Sequence, residues 1–273
     1  MPRFAANLST MFNDRPFLER FAAARKAGFS AVECQFPYEA EAADIKAELA
    51  ANQLHMVLIN TPAGDFAAGE RGLAGLPGRE AEFRAALDRA LAYAEALDCP
   101  QLHVMAGVRP QAAAREACWE TYKANLQIAG EAAAAAGRLA LIEPINTRDI
   151  PGYLLNTPAE AAALIAQLAL PAVRLQFDFY HTQIMTGDLA RSLERHLPMT
   201  AHVQIAGVPE RHEPDIGEIN YPYLFDLLDR PGYQGWVGCE YFAAGSTEDG
   251  LGWAMRYGIA PAVTHLATGG ERV

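Results

Sequence analysis

Basic side chains are scarce in this chain: 22 Lys and Arg stand against 33 Asp and Glu, a formal net charge of −11. A nucleic-acid partner is therefore not expected, because phosphate binding needs a basic surface that releases counterions. Long apolar runs are missing too. No stretch reaches the roughly 18 apolar residues of a transmembrane helix, and the opening MPRFAANLS lacks the charged-then-apolar order of a secretory signal. A cytoplasmic protein with no membrane partner is expected. Cysteine is limited to Cys34, Cys99, Cys118 and Cys239, with no C-x-x-C pair. Structural disulfides and a zinc–thiolate site are not expected. Glycine is absent from Asn7–Arg15, where an open doubly wound sheet would carry its phosphate-binding turn.

What remains is a regular alternation. Short β-rich runs occur at Phe4–Leu8, Ala31–Gln35, His55–Asn60, Gln101–Met105, Leu139–Pro144, Val173–Asp178, Ala201–Ile205 and Trp236–Tyr241. Helical spacing of apolar residues fills the gaps, as in Phe17-Leu18-Phe21-Ala24 and in Phe83-Ala86-Leu87-Ala90-Leu91-Ala94. Thr157-Pro158 followed by Glu160 reads as a helix start. Eight such units without a linker predict an α/β fold, a (β/α)8 TIM barrel forming one domain over 1–273, close to the usual size of about 250 residues. The glycine-rich stretch 61–80 is too long for a plain connector and is a candidate lid loop on the catalytic face, with disorder in the absence of ligand as the compatible alternative.

Polar residues end four consecutive strands: Glu143 in LALIEPIN, Asp178 in RLQFDFYH, Gln204 in AHVQIAG and Glu240 in WVGCEYF. Their separations of 35, 26 and 36 residues each approximate one strand–helix unit of about 30 residues. Neighbouring strands should bring them together at the barrel mouth. Three carboxylates cannot share a low-dielectric pocket without a cation between them. Carboxylate and amide oxygens form a hard donor set, suited to one divalent ion, Mg²⁺ or Mn²⁺. A network of salt bridges is the bland alternative. Asn7 and His103 close strands 1 and 4 and, with Asp149, are candidates to contact a substrate; each is nearly as well explained as a structural polar group. Glu33, inside strand 2, is a candidate buried acid.

The runs EPINTRDIPGYLLNT (143–157), FDFYHTQIMTGD (177–188), HVQIAGVPERHEPDIGEINYPYLF (202–225) and GWVGCEYFAAGSTEDGLGWA (235–254) resemble hydroxypyruvate isomerase. So do FAANLSTMF (4–12) and VECQFPY (32–38). That family lies in the xylose-isomerase-like group of TIM barrels, beside ketose 3-epimerases, and 2-oxo-tetronate isomerase shares its motifs. The resemblance implies that Glu143, Asp178, Gln204 and Glu240 are metal ligands and that Glu143 and Glu240 also act as the acid–base pair. It further implies that His181 contacts substrate and that Arg211 grips substrate oxygens. Gln204 stands where the epimerases carry a histidine, which favours the isomerase branch.

The chemistry then expected is a carbonyl shift between neighbouring carbons of a small hydroxy-oxo acid, hydroxypyruvate to 2-hydroxy-3-oxopropanoate, through an enediolate. Two opposed glutamates suit such a proton transfer. Alternatives are 2-oxo-tetronate as substrate, a ketose 3-epimerase, a metal-dependent DNA-repair nuclease, or a non-catalytic sugar-acid binding protein. A homo-oligomer is left open, with Trp253 and Tyr257 serving either a subunit contact or the core.

Overall fold

The computed structural model describes residues 1–260. Eight parallel strands close into a barrel: β1 (Arg3–Asn7), β2 (Ala31–Cys34), β3 (His55–Asn60), β4 (Gln101–His103), β5 (Leu139–Ile142), β6 (Val173–Asp178), β7 (Thr200–Ile205) and β8 (Trp236–Cys239). Each strand pairs with the next, and β8 closes on β1 through Arg3↔Trp236 to Ala6↔Cys239. Helices α1 (Glu19–Lys26), α2 (Ala42–Ala51), α3 (Glu80–Ala96), α4 (Arg115–Ala135), α5 (Pro158–Leu168), α6 (Phe179–Met185), α7 (Leu189–His196) and α8 (Tyr221–Asp229) occupy the connections. The TIM barrel expected from the alternation is the observed fold.

Helix starts follow local chemistry. Thr157 accepts from the Glu160 N–H while Glu160 reaches back to the Thr157 N–H, a capping box with Pro158 at the first helical position. The Phe83-to-Ala94 stripe is the buried face of α3. Phe17 and Leu18 lie just ahead of α1, where Phe17 packs edge-on against Phe21. The eighth helical unit is a 3-10 segment, Asp249–Tyr257, whose Gly250 and Gly252 weaken any α-helix. Trp253 and Tyr257 pack on Phe4 and Phe225, so both belong to the core contact and not to an exposed patch.

The barrel interior is layered. Ala5, Ala31, Leu58 and Leu141 form a small apolar cluster. Two residues further along each strand come Asn7, Glu33, Asn60 and Glu143, all buried. Period-two alternation puts them on the same face one layer higher, so the polar layer is held at the C-terminal mouth by an apolar floor. Five strands stop earlier than expected: β1 and β2 by one residue, at Asn7 and Cys34, and β4, β5 and β8 by two, at His103, Ile142 and Cys239. Pro144 lacks the N–H that would extend β5. Glu143 and Glu240 therefore sit on the first residue beyond their strands, still buried. All four cysteines are free and buried.

The stretch 61–80 divides in two. Gly72, Ala74 and Gly75 are pinned to the end of β4: Gly75 N–H donates to Ala106 O, and a side chain at Gly72 would collide with the Met105 backbone. The tip stands out, with Phe66 half exposed beneath the Arg71 guanidinium.

Candidate active site at the mouth of the barrel

Each donor arrives by a short structural argument. Asp178 ends β6 and caps α6: its Oδ1 accepts from the N–H groups of Tyr180 (2.6 Å) and His181 (3.2 Å). That use of one oxygen turns the other, Oδ2, into the cluster, where it has no hydrogen-bond partner. Gln204 is the register neighbour of Asp178 on β7. Its Nε2 donates to Glu33 Oε1 (2.8 Å) and its Oε1 accepts from Gln176 Nε2 (2.6 Å). Glu240 Oε1 accepts from Gln35 Nε2 (2.7 Å) and Asn7 Nδ2 (3.1 Å), and its Oε2 from Arg211 Nη2 (2.6 Å). Glu143 is the contrast, since its Oε1 has no partner at all.

Glu143, Asp178, His181 and Glu240 each bring a ligand atom within 4.8 Å of the others, and all four are buried. Such a group can hold a metal ion. His181 itself is better placed as a donor. Its Nδ1 faces the Asn146 backbone N–H (3.4 Å), which can only donate, and the Asn146 Nδ2 (2.6 Å). Nδ1 is thus the acceptor and Nε2 carries the proton, 3.8 Å from both Glu143 Oε1 and Asp178 Oδ2.

The electrostatics fit a cation-binding centre. Burial, then repulsion from Glu240 and Asp178, drives the Glu143 carboxyl well above the usual carboxylate range. Burial pushes Asp178 up to about 7 against the pull of Arg211, and raises Glu240 against the same pull. Burial takes His103 down to about 3, and burial with Arg211 and His103 takes His181 well below its ordinary value. Both imidazoles are neutral. Arg211 stays charged: burial works against its guanidinium, but Glu240, Asp178 and Glu143 outweigh that. Three ionised acids facing one guanidinium would leave a formal charge of −2, which one dication balances. The unpartnered oxygens on Glu143 and Asp178 are where such an ion fits.

Around this centre, Arg211 lies over the Tyr180 ring at 4.9 Å, with Nη1 3.6 Å from Asp149 Oδ2. Its φ of 58° is unusual for a side-chain-bearing residue. The loop that imposes it is tight: a side chain at Gly207 would strike the carbonyls of Glu213 and Ile216. His103 Nδ1 stands 3.3 Å from Glu143 Oε2 without making a hydrogen bond. Asn7 comes to the site but is committed to protein, its Nδ2 shared by Glu33 and Glu240 and its Oδ1 taken by Ser9 N–H (2.9 Å). Asn60 bonds to Met105 Sδ (3.8 Å) and does not join the cluster. Arg174 of β6 donates to Pro198 O (2.7 Å) and joins none of the site residues.

The sequence reading missed three contributors. Gln35 follows β2 and reaches Glu240. Asn146 fixes the His181 tautomer. Glu213, buried, accepts from Ala244 N–H and so ties the Arg211 loop to the segment after β8. Glu213 and Asn146 lie inside quoted motifs, RHEPDIGE and EPIN; Gln35 carried no signal beyond its place after a strand.

Comparison with known proteins places this geometry. Residues 21–258 match a family model described as a xylose isomerase-like TIM barrel. The chain is 55% identical to the 2-oxo-tetronate isomerase of Cupriavidus necator, over 94% of this chain and 99% of that protein. It is 43% identical to the hydroxypyruvate isomerase of Escherichia coli, over 94% and 100% of the two chains. A crystal structure from Brucella melitensis, called an AP endonuclease of family 2, is 53% identical, with a TM-score of 0.92 over 94% of this chain and 99% of that one.

Proposed function

This chain belongs to the hydroxypyruvate isomerase and 2-oxo-tetronate isomerase family of xylose isomerase-like TIM barrels, and on that footing we propose that it is a metal-dependent isomerase of a short hydroxy-oxo acid. The observation that carries the reading is the buried convergence of Glu143 and Glu240 with Asp178 and His181. In the proposed reaction the carbonyl moves from C2 to C3 of the acid. The C3–H bond breaks, a C2–H bond forms, and one hydroxyl proton passes from O3 to O2 by way of the enediolate.

Glu143, Asp178, Gln204 and Glu240 would hold one Mg²⁺ or Mn²⁺ through oxygen. When bound, such an ion supplies Lewis acidity toward negative charge on the substrate oxygens. One of Glu143 and Glu240 takes the carbon proton, and the other delivers a proton to the adjacent carbon. His181 Nε2–H donates to a substrate oxygen, its tautomer set by Asn146. Arg211 binds the substrate carboxylate, exchanging part of its present pairing with Glu240 and Asp149. Asp149 accepts from a substrate hydroxyl, and His103, with both nitrogens unpartnered, lines the pocket floor.

Two substrates compete. The higher identity to the 2-oxo-tetronate isomerase than to the hydroxypyruvate isomerase favours the four-carbon acid as the better substrate, with hydroxypyruvate the second reading. The nuclease name of the Brucella structure does not fit the net charge of −11. A small anionic substrate, its carboxylate met by Arg211, is the partner proposed. No helix among the described residues is long and apolar enough to cross a membrane.

The test is a panel of 2-oxo acids in D₂O, assayed with Mg²⁺ or Mn²⁺ and again after chelation. Deuterium should enter the exchanged carbon, and chelation should abolish and Mn²⁺ restore turnover. Binding itself should show as about 2.7 kcal/mol of added stability at an ion concentration about 100 times Kd. Turnover indifferent to chelation, or proceeding without solvent exchange on either acid, counts against the scheme.

A further inference from the structure

Beside the donor cluster lies a fourth carboxylate, Glu33, that the reaction scheme does not use. It is wholly buried. Both its oxygens are taken by protein donors: Oε1 by Gln204 Nε2 (2.8 Å) and Asn7 Nδ2 (2.9 Å), Oε2 by His202 Nε2 (2.6 Å). It is also seated against bare backbone, since a side chain at Gly238 of β8 would collide with the Glu33 carboxylate. A charge buried this deeply is costly unless it is fully bonded and has a task. No solvent and no substrate reaches it, so the task must be exerted through its partners.

We propose that Glu33 is a positioning residue that fixes the Gln204 side chain oxygen-outward, making it an oxygen donor to the metal, and that holds Glu240 through Asn7. The proposal rests on the preceding reading of Gln204 and Glu240 as ligands. The two ends of a primary amide are nearly equal in size, so packing alone does not choose between them. The Glu33 oxygens accept from Asn7 Nδ2 and face His202 Nε2, so it is the NH₂ end of Gln204 that can face them. A flipped amide would set two oxygens against each other at Glu33 and turn an NH₂ toward the cation, which no cation accepts. Gln176 Nε2 donates to the opposite end (2.6 Å), which agrees with that orientation and leaves the second lone pair of the Gln204 oxygen for a cation. Through Asn7, whose Nδ2 is shared between Glu33 and Glu240 Oε1 (3.1 Å), the same carboxylate orients a second ligand.

Role exchange tests this. Mn²⁺ affinity is measured directly, by the loss of the free-ion electron paramagnetic resonance signal, for the parent, Glu33→Gln, and the double variant Glu33→Gln/Gln204→Glu. Thermal melting reports folding in each. Glu33→Gln should weaken Mn²⁺ binding about 10–100-fold, and the double variant should return to within about fivefold of the parent. The reason is that the amide introduced at position 33 then donates to a carboxylate that presents oxygen at either end. A merely structural Glu33 gives no such rescue. If Glu33→Gln does not fold, the double variant decides by its own fold and affinity. Parent-like affinity in folded Glu33→Gln, or a double variant that recovers neither fold nor affinity, overturns the proposal. A parent that binds no Mn²⁺ overturns the reading of the ligands instead.

Discussion

The two halves of the barrel do different work. Strands β5, β6 and β8 lead into Glu143, Asp178 and Glu240, whose carboxylates converge in one buried space, and β7 carries Gln204 beside them, its oxygen accepting from Gln176. Strands β1, β2 and β4 contribute Asn7, Glu33, Gln35 and His103, which touch those donors from the other side. Donors carry chemistry in their residue type and recur at strand ends, whereas holders are defined by what they touch across the barrel. Gln35 and Glu240 are 205 positions apart in the chain. Precision at the site is a property of the holding half, because donors held loosely cannot fix a cation or a substrate.

The sharpest way to break this division is to neutralise the donors one at a time. Glu143→Gln and Glu240→Gln are each expected to lower kcat by about 10²–10⁴-fold, followed by steady-state turnover and by deuterium incorporation. The two variants should differ in character. Glu240 has three donors on its carboxylate, while Glu143 Oε1 has none. The Glu143→Gln barrel should therefore melt at or above the parent temperature without metal, having lost an unpaired buried acid. If either variant keeps substantial turnover, the paired acid–base scheme is wrong.

A smaller effect should come from the holding half. Gln35→Ala removes one of two donors to Glu240 Oε1, leaving Asn7 in place. A hydrogen bond to a charged group contributes about 1.5–3 kcal/mol, so kcat should fall about 10–100-fold, with KM little changed. A fall as deep as that of Glu240→Gln would erase the distinction between donor and holder. A fall confined to KM would make Gln35 a substrate contact.

This asymmetry also explains what could be read from sequence. The barrel was legible because eight β-rich runs alternate with helical spacing, and periodicity is a local property. Val173–Asp178 and His55–Asn60 match the observed strands residue for residue. The shortening of β5 before Pro144 was available from the missing proline N–H; the 3-10 segment in place of an α-helix after β8 was hinted at by Gly250 and Gly252. Asp178, Glu143 and Glu240 were legible as strand-end acids, and they do converge. The His181 tautomer was not, since it depends on the Asn146 N–H 35 positions away. Neither was Asn7's commitment to Glu33 and Glu240, because a terminal amide at a strand end looks the same whether it faces a substrate or a carboxylate.

The smallest expected effect concerns the loop over the holding half. Of the stretch 61–80, the part from Gly72 to Leu76 is packed down on the end of β4, and the tip around Phe66 stands out from it. That ring is half exposed, lies under Arg71 at 3.6 Å, and meets Phe36 edge-on at 5.6 Å. Phe36 directly follows Gln35, so the tip stands beside the residue that holds Glu240. Gly64 and Gly69 flank it with φ of 87° and 93°, conformations that only glycine adopts freely and that serve as hinges. Phe66→Ala should leave the melting temperature almost unchanged, since an exposed side chain alters stability by about 0.5 kcal/mol or less. If the tip closes over bound substrate, kcat/KM should fall about threefold, as expected for a lost edge contact of about 0.5–1 kcal/mol, while Mn²⁺ affinity stays at the parent value. Unchanged kcat/KM would reduce the tip to a surface loop, and weakened Mn²⁺ binding would move it from lid to holder.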